Sequence, residues 1–293
     1  DVIDWLCPQV SGTELAFFDG DDKLRTYPIA GGGPTTSTFP AHYNSGFAST
    51  GSSFAFVEFD GPSDAGIYTA TSAASTPTKI FTDGVDPLAA TDSDVAPGQV
   101  GYEDNAMPAK PIFTRSLTRS GNTLTAGTES LVANNATGFG LSLSGTRAAY
   151  LDDPQSDVTA LELKTPNAGI RTLRTTSDDP DLHTDVYSPA LSGRRVLYPV
   201  ATFTNNAVVQ SNQLFDDVTG QTTTVSSTPS AALWGNYLVT LDSQSGAIIR
   251  KDLSTGQTTP IYTIPHASGD TMFGNLEAWG NTVAWSVFVC GTD

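Results

Sequence analysis

"LSLSGTRAAYLDD" occupies residues 141–153 and "LSGRRVLYPV" occupies residues 191–200. Each places a Ser-Gly pair between two short apolar runs, with a Tyr five residues beyond the Gly. A Gly in this setting marks a tight reversal, because it adopts positive φ at little cost, and the alternating runs on either side are strand patterns. Two copies whose glycines lie 48 residues apart point to a repeated structural unit rather than to a local site.

The same pattern recurs along the whole chain. It appears as "SGTELAFF" at Gly12, "TGSSFAFV" at Gly51, "PGQVGYED" at Gly98, "WGNYLVTL" at Gly235 and "WGNTVAWS" at Gly280, in addition to the copies at Gly145 and Gly193. The intervals are 39, 47, 47, 48, 42 and 45 residues, within the ~40 to 50 residues of a four-stranded propeller blade. Inside each interval a strand precedes the Gly and a second follows it. A third strand reads as "IYTATS", "PIFTRSL", "ALELKT", "NQLFDDV" or "AIIRKDL". A hairpin into a fourth is legible in "DDVTGQTTTV" and "KDLSTGQTTPIY", with Gly220 and Gly256 where positive φ is wanted. A two-sheet sandwich has no reason to repeat its turn chemistry seven times, whereas a unit whose apolar face is buried only by its neighbour does.

The expectation is therefore an all-β chain: one domain over residues 1–293, a seven-bladed β-propeller of four-stranded antiparallel blades starting near residues 5, 42, 92, 138, 185, 230 and 274. Seven full repeats need about 315 residues, and the shortfall lies after Gly280, where 13 residues remain. The last blade is expected to be incomplete, with two or three strands, or else the chain is part of a longer polypeptide. The two cysteines, Cys7 and Cys290, lie near opposite ends of the chain and at similar expected heights on adjacent blades. A disulfide between them would fasten the ring.

Within this frame "YSPALSGRRVLY" (187–198) resembles the Ser-Pro-Asp-Gly repeat of TolB-like, WD-repeat-like propellers. "LCPQVSGTELAF" (6–17) aligns with it through Pro8, Ser11 and Gly12, and "DLSTGQ" (252–257) resembles the family's turn between third and fourth strands. The Asp before Gly is missing from all seven copies. The resemblance concerns the scaffold and implies a fold, not an activity. Some TolB-like propellers, the oligogalacturonate lyases among them, hold a divalent cation with histidines and a glutamine, but their ligand spacing is not reproduced here.

Composition narrows the partners. Lys and Arg total 14 against 31 Asp and Glu, a formal charge of −17, which opposes approach to nucleic acid or anionic lipid. No apolar stretch is long enough for a membrane span, and no charged-then-apolar segment opens the chain, so Asp1 reads as a processed or trimmed start. The cysteines and the acidic surface suggest a secreted, extracellular protein. "NAT" at 135–137 matches a glycosylation acceptor.

Chemistry-bearing residues gather in the connections between a fourth strand and the next first strand, which lie on one face of a propeller, here called the top. They include all three histidines, His42, His183 and His266, with Tyr43, Asp181, Asp185 and Asp270 beside them. These seven residues are the candidate ligand-binding set. Three imidazoles around a channel suit a transition metal, and Asp83, Asp86, Asp92, Asp94, Asp178 and Asp179 offer oxygen ligands for calcium, but none of the loops has EF-hand or RTX spacing. No cofactor is called for; calcium is the cation these loops suit best. The sequence has no nucleophile elbow, His-Glu-x-x-His, P-loop or Cys-x-x-Cys.

Three functions follow. The first is a secreted, non-catalytic module that binds a protein or a carbohydrate through the top face. The second is a metal-dependent polysaccharide lyase or glycoside hydrolase using the top-face His and Asp residues. The third is a structural domain of a larger extracellular assembly. Trp234 and Trp279, each preceding its Gly in consecutive repeats, are read as packing between blades, with an aromatic platform of the kind carbohydrate binders use as the alternative.

Overall fold

The computed structural model describes residues 9–18, 23–37, 47–50, 53–58, 66–82, 93–104, 110–136, 140–155, 158–179, 182–204, 207–227, 230–242, 245–264 and 271–289. Every regular element among them is a strand, and all pairing is antiparallel. The strands form seven sheets. Five contain four strands in simple chain order. Sheet one runs Gln9–Ser11, Glu14–Phe18, Leu24–Pro28 and Thr35–Thr36, and sheet two runs Phe47–Thr50, Ser53–Glu58, Gly66–Ala70 and Thr78–Thr82. Sheet three comprises Ser93–Ala96, Gln99–Glu103, Ile112–Ser120 and Thr123–Ala133; sheet four comprises Ser142–Ser144, Arg147–Gln155, Val158–Thr165 and Gly169–Thr175. Sheet six is Ala231–Trp234, Tyr237–Asp242, Ala247–Asp252 and Thr258–Thr263.

Sheets five and seven depart from the plan. Sheet seven has two strands among the described residues, Thr271–Trp279 and Thr282–Val289. Sheet five has the expected four, Ala190–Ser192, Arg195–Thr204, Ala207–Asp216 and Gln221–Ser226, and adds a hairpin of Ser177–Asp179 and Leu182–Val186. The sequence pattern "VYSPALS" suggests one first strand ahead of Gly193. The structure divides it at Tyr187–Pro189, so that Ala190–Ser192 pairs with the lower part of Arg195–Thr204 and Leu182–Val186 pairs with the upper part.

The first turn behaves as the repeat demands. Gly12, Gly98, Gly145, Gly193, Gly235 and Gly280 have φ between 56° and 75°. This is the left-handed region that a side chain enters only with strain. Beyond the turn, the first strands contact one another in chain order from sheet one to sheet seven, and Gln9–Ser11 also contacts Thr271–Trp279, closing the cycle. The Cys7–Cys290 pairing expected to fasten this junction lies outside the described residues.

Packing is local to each junction. Separate hydrophobic clusters lie between sheets one and two, two and three, three and four, four and five, five and six, and six and seven. The aromatic five residues past the turn Gly is part of this packing: Phe56, Tyr150 and Tyr198 are buried, as is Tyr102, four past its own Gly. The third strand Val158–Thr165 is buried on both faces at its centre, from Ala160 to Leu163, whereas the fourth strand Gly169–Thr175 is almost wholly exposed. Each sheet is thus a unit that covers its neighbour, which is why the sequence repeats.

A hydrogen bond links the repeated turns themselves. Gly193 N–H donates to Ser144 Oγ at 2.9 Å, and Gly235 N–H donates to Ser192 Oγ at 2.8 Å. The Ser that precedes one turn Gly therefore accepts from the Gly of the following repeat. Leu191 N–H adds a parallel bond to Ser142 Oγ at 3.0 Å. Around these turns Arg195 reaches Asp216 at 3.1 Å and Asn236 Oδ1 at 2.6 Å, while Asp217 accepts from Arg147 and lies 3.5 Å from Arg194. Arg147 thus ties sheet four to sheet five, and Arg195 ties sheet five to sheet six, along the lower face.

Replacing Ser192 with Ala should cost about 1 kcal/mol by removing one such bond. Urea unfolding of Ser144→Ala, Ser192→Ala and the double variant should show losses that add, since the bonds lie at different junctions. An unchanged midpoint in all three would show that the link contributes nothing to stability.

Candidate functional site

Two places break the repeat, and each creates a surface that the regular sheets lack. The first is the upper end of sheet five. Its second and third strands run ten residues each and rise past the point where the fourth strand leaves at the bulge between Asn212 and Gln213. The extra hairpin 177–186 covers one edge of this rise, pairing His183 with Phe203 and Asp185 with Ala201. The other edge, Ala207–Gln210, has no strand partner beyond Arg195–Thr204 among the described residues.

Antiparallel pairing places cross-strand partners on the same face of a sheet. His183 and Asp185 therefore share one face with Phe203. His183 Nε2 lies 2.6 Å from Asp185 Oδ1, and its ring centroid lies 5.5 Å from that of Phe203. Tyr187 completes the group through a hydrogen bond to Asp185; its hydroxyl is held above the ordinary tyrosine value, first by burial and then by the Asp185 charge. Val208, the register partner of Phe203, at 56% exposure, and Tyr187 at 43% present apolar surface on this face, while Val209 at 59% faces the other way. Of the seven candidate residues, the structure brings His183 and Asp185 together; His42, Tyr43, Asp181, His266 and Asp270 lie outside the described residues. Tyr187, Phe203 and the two valines carried no sequence signal, because "YS" and "FTNNAVV" read as ordinary strand ends.

The second place is the flank of sheet seven. With two strands there, the outer part of sheet six is left without a facing strand among the described residues. The result is a trough of about 370 Å³ walled by Tyr237, Val239, Arg250 and Ile261 of sheet six, Val283 and Trp285 of sheet seven, and Ile29 of sheet one. A second hollow of about 380 Å³ continues from it past Trp234, Asn281 and Asp252. Trp234 and Trp279 do pack between sheets, with ring centroids 3.8 Å apart. The aromatic surface that remains open belongs instead to Tyr237 and Trp285, which the sequence reading did not single out.

Titratable groups on the sheets, some buried and some partly exposed, serve the junctions. Between sheets two and three, Tyr102 donates to Glu129 and Arg115 binds both, with Nε 3.1 Å from the Tyr102 hydroxyl and a terminal nitrogen 2.9 Å from Glu129 Oε2. Burial works against the Glu129 charge, but these donors outweigh it and hold the carboxyl below its ordinary value. In sheet four Glu162 pairs in register with Tyr150 but lacks such an arginine. Lys164, two residues on, is spent on the Leu131 and Val132 carbonyls at 3.0 and 2.8 Å. Thr172 donates to Glu162 Oε1 at 2.8 Å, Oε2 has no partner, and burial, aided by the Asp152 charge, pushes the carboxyl up. Among the described residues no cluster of three or more His, Cys, Asp or Glu side chains is placed to hold a metal.

Comparison with known proteins shows a scaffold. No family model matches the chain, and no curated protein matches it. Over 93% of its length the chain is similar, with a TM-score of 0.60 and 14% identity, to a prolyl endopeptidase structure, of which it spans 43%. It is similar over 95% of its length to the computationally designed Ika8 protein, covering 91% of that chain, with a TM-score of 0.51 and 12% identity. It also resembles apo AztD from Citrobacter koseri over 87% of this chain and 84% of that one, with a TM-score of 0.44 and 13% identity. The prolyl endopeptidase neighbour is propeller-like, and the all-β, antiparallel architecture is compatible with such a scaffold; no match points to the TolB-like branch in particular. No described helix is long and apolar enough to cross a membrane.

The Glu162 carboxyl yields a directional prediction. Its folded pKa lies above its unfolded one, so the folded state binds the proton more tightly, and this group's contribution to stability falls as pH rises through that window. Glu162→Gln should therefore raise the melting temperature at pH 7 by about 2 °C, for roughly 1 kcal/mol. The advantage should shrink as pH falls below the folded value. A variant that melts lower at neutral pH would show that the charge itself is needed.

Proposed function

We propose that the chain is a seven-bladed propeller with a short seventh blade, acting as a secreted recognition module that binds a protein ligand through its top face and performs no chemistry. The closed cycle of first strands supports the blade count. A disulfide between Cys7 and Cys290 across the last junction belongs to the same reading, as does the extracellular location that would allow it. Calcium is not required by it.

The observation that carries the recognition role is the raised end of sheet five. It projects a strand edge, Ala207–Gln210, that has no outer partner among the described residues, and sets exposed Val208 and Tyr187 on the face of the His183–Asp185 pair, with exposed Val209 on the other face. Open, uncharged strand edges are normally blunted by charge, proline or a covering element, because they invite pairing with another chain. Apolar side chains around a few hydrogen-bonding groups form the pattern of a protein-binding surface, with its aromatic or aliphatic anchors and polar rim. Of the two ligand classes left open by the sequence, protein suits this surface better.

Site-specific photo-crosslinking tests the reading. A photoreactive phenylalanine at position 208, exposed to the secreted proteins of the source cells, should give one dominant adduct, whereas the same group at position 259 on sheet six should not. Excess wild-type chain should compete the adduct away, and a chain carrying Val208→Asp with Val209→Asp should compete at least tenfold less well. No adduct at position 208, or full competition by the double variant, would remove the proposal. Turnover of a polysaccharide by the purified chain, lost on chelation, would establish the metal-dependent alternative.

A further inference from the structure

We infer that the trough between sheets six and seven is a binding site for a neutral oligosaccharide, separate from the top-face surface and on the opposite side of the sheets. Three features lead there. The first is aromatic faces. Tyr237 and Trp285 line the main hollow, Trp234 lines both hollows, and Tyr262 stands 5.3 Å from Trp285 with 46% of its surface exposed. The face of an aromatic ring is electronegative, and the axial C–H bonds of a pyranose carry the complementary partial charge over a flat apolar patch. A sugar ring therefore stacks where an aliphatic chain gains only contact area.

The second feature is the placement of polar groups. Arg250 lies in the trough with its guanidinium 4.9 Å from the Tyr237 ring centroid, and no carboxylate pairs with it among the described residues. A guanidinium stacked on a ring keeps the N–H donors at its edge available for hydrogen bonds. Asn281 is exposed at the join of the two hollows, and Asn236 lines the second, where its side-chain oxygen accepts from Arg195 at 2.6 Å and its amide nitrogen is left as a donor. Amides and a guanidinium at the rim of an aromatic trough suit hydroxyl groups, which both donate and accept.

The third feature is charge. A formal charge of −17 repels polyanions at a distance. Arg250 is the cation lining the two hollows and Asp252 an opposing carboxylate, so the site is close to neutral. These conditions favour uncharged sugars over uronates or sulfated chains. The combined length of two hollows sharing Trp234, Tyr237, Gly280 and Asn281 suits more than one sugar ring.

Three of the four tryptophans, Trp234, Trp279 and Trp285, lie at or beside the trough, so intrinsic fluorescence reports directly on its occupancy. Titration with cello-, xylo-, manno- and chito-oligosaccharides, with oligogalacturonate as the acidic counterpart, should find at least one neutral series that shifts the emission and saturates. Arg250→Gln and Asn281→Ala should each weaken that binding at least tenfold while leaving thermal melting unchanged, and Val208→Asp on sheet five should leave it unaltered. No response to any neutral series, a response to the acidic series alone, or binding undiminished in both trough variants would overturn the assignment. Pairing of a peptide strand with Thr282–Val289, detected as protection of its amides from exchange in place of a sugar response, would also overturn it.

Discussion

Everything regular in this protein depends on the junction at the first turn of each sheet. A Gly at positive φ reverses the chain within two residues, and its N–H is left pointing sideways, toward the preceding sheet. In sheets five and six that donor meets the Ser that precedes the turn Gly of the preceding sheet. One short motif thus performs two tasks: Gly makes the hairpin, and Ser receives the next one. A Cβ at Gly193 or Gly235 would meet no atom within 4 Å. The requirement for Gly at these turns is therefore conformational rather than spatial.

The same position explains how the sheet six to sheet seven junction differs. Trp234 and Trp279 stand where the other copies have Ser, Thr or Pro, and a ring contact takes the place of the hydrogen bond. Two indoles occupy more space than two hydroxyls, and the neighbouring sheet supplies two strands among the described residues. Sheet six therefore meets sheet seven along its inner part, at Val239, Leu241 and Ile248, and leaves Tyr237 and Arg250 facing the trough. The charged residues show a similar economy. Lower-face arginines 147, 194 and 195 are held against Asp216, Asp217 and Asn236, so little of the small cationic complement around sheet five is left for a ligand.

Much of this was legible because the repeat is written in glycines. Position, spacing and turn conformation follow the glycines from Gly12 to Gly280. Strand lengths were less legible, since a first strand such as Ala190–Ser192 is three residues long and its apolar pattern runs on into unrelated neighbours. The hairpin at 177–186 was missed for a physical reason. "SDDPDLHTDV" has the polarity and proline of a loop, and it becomes a pair of strands only because the long strand Arg195–Thr204 offers it an edge. That is a tertiary override of local propensity. The approach of His183 to Asp185 was implicit in their spacing of two along a strand, once a strand was there.

A repeating scaffold makes its regular surfaces alike, so it distinguishes itself to a partner where the repetition fails. Here it fails twice and in opposite senses. Sheet five gains strands and rises above the rest, producing a convex edge with side chains that point outward. Sheet seven has two strands among the described residues, and the flank of its neighbour beside them forms a concave wall of rings. Convex edges with a free backbone ladder suit an extended peptide, and concave aromatic walls suit a flat ring. The two surfaces lie at opposite ends of the strands, and between them runs the unbroken packing of the inner strands. The proposed peptide edge and the proposed sugar trough share no residue, so on that reading a ligand at one would not compete with a ligand at the other.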